Sequence, residues 1–115
     1  MADATAGLKA RAKATYLALQ RAEKEEADAK AAELVRAGHE ANDAGATDTA
    51  RKKFLAAHRH SKRPSTLISA ANMALKMGDA ASAVSEYEEA LHLHSLHGGL
   101  FKPSVVAALL TLTPN

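Results

Sequence analysis

The segment that decides the fold is 77–91, which reads MGDAASAVSEYEEAL. It carries Gly78 near its start and an aromatic residue, Tyr87, between Ala83 and Ala90. Alanine, glutamate and leucine are strong helix formers, and glycine is common just past the end of a helix. The segment therefore predicts a turn at Gly78, followed by a helix that buries mainly small side chains.

The same pattern occurs 33 residues earlier in the chain. Both copies have the form Gly-x4-Ala-x3-aromatic-x2-Ala, and each is preceded by a segment with a small residue at a matching place. Small residues let neighbouring helices approach closely, and a period of this length is typical of stacked helical units. The matched positions are Gly38 with Ala71, Gly45 with Gly78, Ala50 with Ala83, Phe54 with Tyr87, and Ala57 with Ala90.

This pattern resembles the tetratricopeptide repeat, a helix-turn-helix unit of about 34 residues, and covers about two repeats over residues 31–96. The resemblance implies an all-α fold in which antiparallel helical hairpins stack as a short α-solenoid. Several positions depart from the family pattern. They are Leu34 and Leu67 in place of Trp, Ala41 and Ala74 in place of an aromatic, Pro64 two residues late, and Ser95 in place of the second terminal proline.

We predict three parts in the chain: an N-terminal helical extension at 1–30, a repeat domain at 31–97 and a C-terminal helix at 100–115. Turn and capping residues predict helices from about Asp48, with Thr47 as its cap, from Pro64, and after Asp79. Gly98 and Gly99 are expected to end the last of these, and a short helix then runs from Pro103 to about Leu112.

The N-terminal part has no proline between Thr5 and Asn42, which favours one long helix. A break near the charged run 23–28 is the alternative. Ala12, Tyr16 and Leu19 echo the pattern of a second repeat helix. We therefore expect this helix to cover one end of the repeat pair.

The last helix is apolar on nearly all sides, with Val105, Val106, Leu109 and Leu110 as its main contact residues. A helix of this kind is either buried or available to a partner. Self-association or a larger assembly through residues 103–112 is one possibility. Alternatively, another protein or further repeats in a longer chain cover this helix.

The resemblance also implies a groove lined by the first helix of each repeat, which in this family commonly holds an extended peptide or a partner helix. The carboxylate clamp of chaperone-binding members is absent, because Val35, His39 and Ser69 stand at its lysine and asparagine places. The residues expected to bind a peptide or protein partner are Arg36, His39, Ser69, Asn72 and Lys76.

Composition narrows the function further. The 115 residues include four aromatic residues, and the net charge is +2. Because the chain has no cysteine, disulfides, thiolate nucleophiles and cysteine zinc sites are excluded. No phosphate loop, nucleophile elbow or paired-carboxylate motif occurs. We predict no catalytic, cofactor or metal site and no enzyme activity. No apolar run is long enough to span a membrane, and we expect a cytoplasmic protein.

Two features leave alternatives open. Basic runs at 51–53 and 59–63 could form a weak RNA-binding patch, although the small net charge gives no general expectation of a nucleic-acid partner. His58 and His60 recur 34 residues later as His92 and His94. These histidines could be polar helix-end residues, a pH-responsive surface or part of a metal site that includes His97.

The function we predict is therefore a non-catalytic protein–protein interaction module, an adaptor or scaffold that binds a peptide or helix in the groove. The alternatives are a structural subunit that uses its terminal helices in a larger assembly, and the weak RNA binder.

Overall fold

The computed structural model describes residues 4–96 and 103–112, without the side chains of Ala4, Val105, Leu109, Leu110 and Leu112. These residues form helices and short turns with no strand, which confirms the all-α fold class. The predictions for His97, Gly98 and Gly99 concern residues outside these ranges. The helices are α1 (Ala4–Asp43), α2 (Thr47–His60), α3 (Pro64–Lys76), α4 (Ala80–Leu96) and α5 (Pro103–Leu112).

The long helix α1 is continuous over 40 residues, so the alternative of a break at 23–28 is wrong. At 1.5 Å per residue its length is about 60 Å. The charged run continues the helix because glutamate, lysine and alanine are strong helix formers. Lys24 and Asp28, one turn apart, also form an ion pair on the helix surface, with 3.8 Å between Nζ and Oδ2.

The first half of α1 is exposed from residue 5 to residue 26. The expectation that it covers one end of the repeat pair is therefore wrong, since Tyr16 and Leu19 are 60% and 59% exposed. The reason is length: α2 has only 14 residues and packs beside the second half of α1. The first buried residue of α1 is Ala31.

The turns after α1 and α3 have the same structure. Gly45 and Gly78 adopt φ of 80° and 81°, a left-handed conformation that glycine takes without steric cost. In each turn two amides bond back to carbonyls of the last helical turn, which is the Schellman arrangement. These bonds run from Gly45 N–H to Asn42 O (3.0 Å), Ala46 N–H to Ala41 O (2.8 Å), Gly78 N–H to Leu75 O (3.0 Å) and Asp79 N–H to Ala74 O (2.9 Å).

The starts of α2, α3 and α4 differ from one another. Asp79 caps α4 as predicted, with Oδ1 accepting from the Ser82 amide at 3.1 Å. Hydrogen bonds from the Ser82 side chain and from its amide lower the pKa of Asp79. Thr47 is not a cap, because α2 already includes it and the N-cap position is Ala46, with no side-chain bond. Pro64 begins α3, where its missing N–H leaves no bond unmade.

Consecutive helices pack against each other in chain order: the second half of α1 on α2, α2 on α3, and α3 on α4. Only three residues connect each of these pairs, so neighbouring helices run antiparallel. The core between them is built largely of alanine. The largest fully buried side chains in this core are those of Phe54 and Leu67.

Candidate partner-binding groove

The contact between α1 and α2 depends on one glycine. A Cβ atom placed on Gly38 would lie 2.7 Å from Cε1 of Phe54, much closer than a real contact permits. The Phe54 ring is 1% exposed and lies directly over the backbone of α1. The neighbouring His39 ring packs on the Phe54 ring in an edge-to-face arrangement, with ring centroids 5.1 Å apart and an angle of 70° between the ring planes. Glycine at position 38 therefore sets how closely these helices approach.

The contact between α3 and α4 has the same arrangement. Tyr87 is 2% exposed and belongs to a buried cluster with Ala71 and Ala74, and its hydroxyl donates to Oδ1 of Asn72. Burial, with a smaller contribution from the charge of Glu86, raises the pKa of Tyr87. Since Ala71 and Asn72 align with Gly38 and His39, the two aromatic rings contact equivalent positions.

A charged link joins the two hairpins, and sequence reasoning missed it. The guanidinium of Arg51 binds both carboxylate oxygens of Glu86, at 2.7 and 2.6 Å, and also donates to the carbonyl of Ala70 at 2.8 Å. The two side chains are 16% and 15% exposed, so this ion pair is largely shielded from solvent. The hydrogen bonds to Glu86 raise the pKa of Arg51. Charges of opposite sign on the two second helices, 35 residues apart, were the available signal.

Because of this link, the basic run at 51–53 offers fewer unpaired positive charges to a partner. Arg51 is bound to Glu86, and Lys52 lies 3.2 Å from Asp48 on its own helix. The second run keeps exposed cations, among them Arg59 and Arg63.

A groove lies between the second half of α1 and α3, which approach each other without close packing along their length. Val35 and Ala41 of α1 pack against the cluster that contains Ala70 and Met73 of α3. At one end Lys76 Nζ donates to Asn42 Oδ1 at 2.7 Å, which joins the last turns of the two helices. At the other end a cavity of about 250 Å³ opens between them. Its lining residues are Asp28, Ala31, Ala32, Val35, Arg63, Ser65 and Thr66.

The five predicted binding residues lie on these two helices. Arg36, His39, Asn72 and Lys76 are exposed and Ser69 is half-buried. Four of the five already make contacts within the chain, among them His39 with Phe54, Asn72 with Tyr87 and Lys76 with Asn42. Ser69 Oγ donates to the carbonyl of Ser65 at 3.2 Å, one turn earlier in its own helix.

The end of the groove near the start of α3 is basic. A second cavity, of about 470 Å³, opens there and is lined by Lys24, Lys62 and Arg63 together with Asp28 and Leu93. The carboxylate of Asp28 accepts from Ser61 Oγ at 2.8 Å and lies near Lys24, so its charge is already compensated. An acidic group that enters this end would meet uncompensated cations.

The remaining predicted residues belong to α5, which packs on α4. Val106 is half-buried, and Ala107 and Ala108 are exposed. The side chains of Val105, Leu109 and Leu110 lie outside the described part of the chain.

Within 4–96 and 103–112, no group of three or more His, Asp or Glu side chains could hold a metal ion. In the same ranges, no helix has both the length and the apolar character that crossing a membrane requires.

In the comparisons with known proteins, no family model, no curated protein and no solved structure matches the chain.

Proposed function

We propose that this chain is a non-catalytic protein–protein interaction module of the tetratricopeptide type. In this proposal α1 from residue 31 with α2, and α3 with α4, are two stacked hairpins of a short α-solenoid. The equivalent settings of Phe54 and Tyr87 support it, because each ring packs on a small residue 16 positions earlier in the preceding helix.

The ligand we propose is an extended peptide with acidic side chains, bound along the groove between α1 and α3. The observation that carries this proposal is the cavity of about 250 Å³ that opens between the two helices, whose last turns are joined by Lys76 and Asn42 at 2.7 Å. Both helices also carry exposed polar residues. Extended peptides commonly bind in such preformed grooves, where side-chain pockets and charged groups give specificity.

The charge of the groove favours acidic peptides. Arg36 and Lys76 are exposed residues of the two helices that form it, and Arg63 lines the cavity at its open end. Arginine and lysine bind carboxylates through charge-assisted hydrogen bonds, which are stronger than neutral ones. Such a module would act as an adaptor or scaffold and would need no chemistry of its own.

The test is selection of short peptides from a random display library on the immobilised full chain, followed by fluorescence anisotropy of the selected peptides. We expect the selected peptides to be enriched in Asp and Glu. The double variant R36E/K76E should weaken their binding at least about tenfold, which corresponds to about 1.4 kcal/mol. The control K52E/R59E makes the same charge change on exposed residues of α2 and should leave binding unchanged.

Circular dichroism of each variant checks that the helices are retained. Selection of no peptide, or equal loss of binding in both double variants, would refute the groove assignment. If RNA binds to the chain and the control variant abolishes that binding, the basic patch at the end of α2 is the functional surface instead.

A further inference from the structure

The first half of α1 carries a row of apolar side chains that nothing in the chain covers. Leu8, Ala12, Tyr16 and Leu19 are spaced by four, four and three residues, so they lie along one face of the helix. Leu8, Tyr16 and Leu19 are 61%, 60% and 59% exposed. We call these four residues the N-terminal stripe.

Up to residue 22 this helical segment has no tertiary packing of its own. Residues 5–26 are all exposed, so they make no buried contact with the hairpins. Isolated helices are marginal in water, and in proteins most helical stability comes from packing an amphipathic face. A helix of this length with an apolar row is thus best explained by a partner that packs on the row.

Charge along the same segment indicates what the partner is. Residues 9–13 carry Lys9, Arg11 and Lys13 and no acid. Residues 23–26 carry three glutamates and one lysine. The segment is therefore basic at one end and acidic at the other. A second copy in the antiparallel direction would place each basic block opposite an acidic block, whereas a parallel copy would place like charges together.

We propose that two copies of this chain pair through the N-terminal stripe as antiparallel helices. The pairing centre lies between Tyr16 and Leu19, so Tyr16 of one copy packs on Leu19 of the other. In this register Leu8 meets Ala27, and Lys9 comes near Glu26. The same surface is used by both copies, as expected for a closed two-fold dimer.

The register also keeps the two hairpin pairs apart. The first half-buried residue of α1 is Ala27, which lies opposite Leu8 of the other copy. Only the first turn of the other copy's helix, with the small residues Ala4, Thr5, Ala6 and Gly7, extends past Ala27 towards the hairpins. The groove between α1 and α3 remains open in both copies, so this proposal is independent of the proposed function.

The first test is sedimentation equilibrium of the full chain. We expect a species of twice the chain mass of 12.1 kDa, with an association that weakens as salt is raised. The triple variant L8S/Y16S/L19S should be monomeric with its hairpins intact. The control L17S removes a leucine that is 47% exposed but lies about half a turn from the stripe, and it should still dimerise.

The second test fixes the direction of the helices. The chain has no cysteine, so introduced thiols report without background. A mixture of A12C and E23C proteins should form a disulfide-linked pair under mild oxidation, because residues 12 and 23 face each other in the proposed register. A12C protein alone should not.

A wild-type chain that stays monomeric would overturn the proposal and assign the stripe to a different protein. A dimer that survives the triple variant, or that L17S abolishes equally, would also overturn it. Efficient cross-linking of A12C with itself would show a parallel pair and contradict the charge argument.

Discussion

The first hairpin, formed by the second half of α1 with α2, and the second hairpin, formed by α3 with α4, use the same contacts with different side chains. In both, an aromatic ring from the second helix is buried against a small residue of the first. In the first hairpin that residue is Gly38 and the ring is Phe54. In the second, Ala71 leaves less space, and the ring of Tyr87 carries a hydroxyl that reaches Asn72.

This difference shows what the repeated pattern controls. A glycine turn, an alanine and an aromatic at fixed spacing position the second helix in both hairpins, while the residue under the ring decides how the contact is completed. Around the rings, equivalent apolar residues join the two buried clusters. They are Val35 and Ile68, Ala41 and Ala74, and Ala50 and Ala83.

The largest expected effect comes from removing either ring. F54A and Y87A should each lower the free energy of unfolding by about 3–5 kcal/mol, because both rings are almost fully buried and truncation leaves a cavity. Urea denaturation followed by circular dichroism measures the loss. The exposed residue Leu17 provides the control, and L17A should change stability by less than about 0.5 kcal/mol. A cost below about 1 kcal/mol for one ring alone would break the equivalence of the hairpins.

A smaller effect is expected from adding one methyl group at the closest contact. G38A should lower the free energy of unfolding by about 1–2 kcal/mol, since overpacking against Phe54 exceeds the gain in helix propensity. The matched control is G7A on the same helix, where a Cβ atom meets nothing within 4 Å. That variant should be neutral or more stable by up to about 1 kcal/mol. A stabilising G38A would mean that the helices do not approach closely at this point.

The smallest expected effect concerns His58, which aligns with Leu91 of the second hairpin. Burial lowers the pKa of His58 below its ordinary value, and its Nδ1 makes no hydrogen bond to the described part of the chain. Nearby charges act in both directions, since Glu89 and Glu86 raise the pKa and Lys62 lowers it. The folded protein therefore binds this proton less readily than the unfolded chain.

The sign of the pH dependence follows from that difference. The contribution of His58 is fully present above about pH 6.5 and decreases as the pH falls from there towards the lowered folded pKa. H58L should make the loss of stability between neutral and mildly acidic pH shallower, as measured by urea denaturation at several pH values. The control variant H92Q replaces an exposed histidine and should leave the slope unchanged. An unchanged slope in H58L would show that burial does not disfavour the imidazolium.

Local features of this fold could be predicted from the sequence because they depend on short-range chemistry. The glycines at 45 and 78 mark turns through their positive φ, and Pro64 and Asp79 mark helix starts through their own geometry and hydrogen bonding. The buried aromatics followed from the spacing of small residues around them. Thr47 was misassigned because the helix begins one residue earlier than the capping pattern indicated.

Features that depend on distant partners could not be predicted in the same way. The bond between Arg51 and Glu86 joins helices 35 residues apart, and each residue alone has the pattern of an exposed helix face. The row that includes Tyr16 and Leu19 has the same spacing whether it covers a hairpin or is exposed. Of the candidate groove, the sequence indicated the two helices through the family resemblance, but the bond between Lys76 and Asn42 required coordinates.

The most direct test of the repeated helix contact is a nuclear Overhauser experiment on the full chain. Equivalent hairpins predict a cross-peak between the Gly38 α-protons and the Phe54 ring, and another between the Ala71 methyl group and the Tyr87 ring. Gly38 α-protons should also be shifted by the ring current of Phe54. Cross-peaks in one hairpin only, or a Phe54 ring in contact with residues other than the helix turn around Gly38, would contradict the shared packing of the two units.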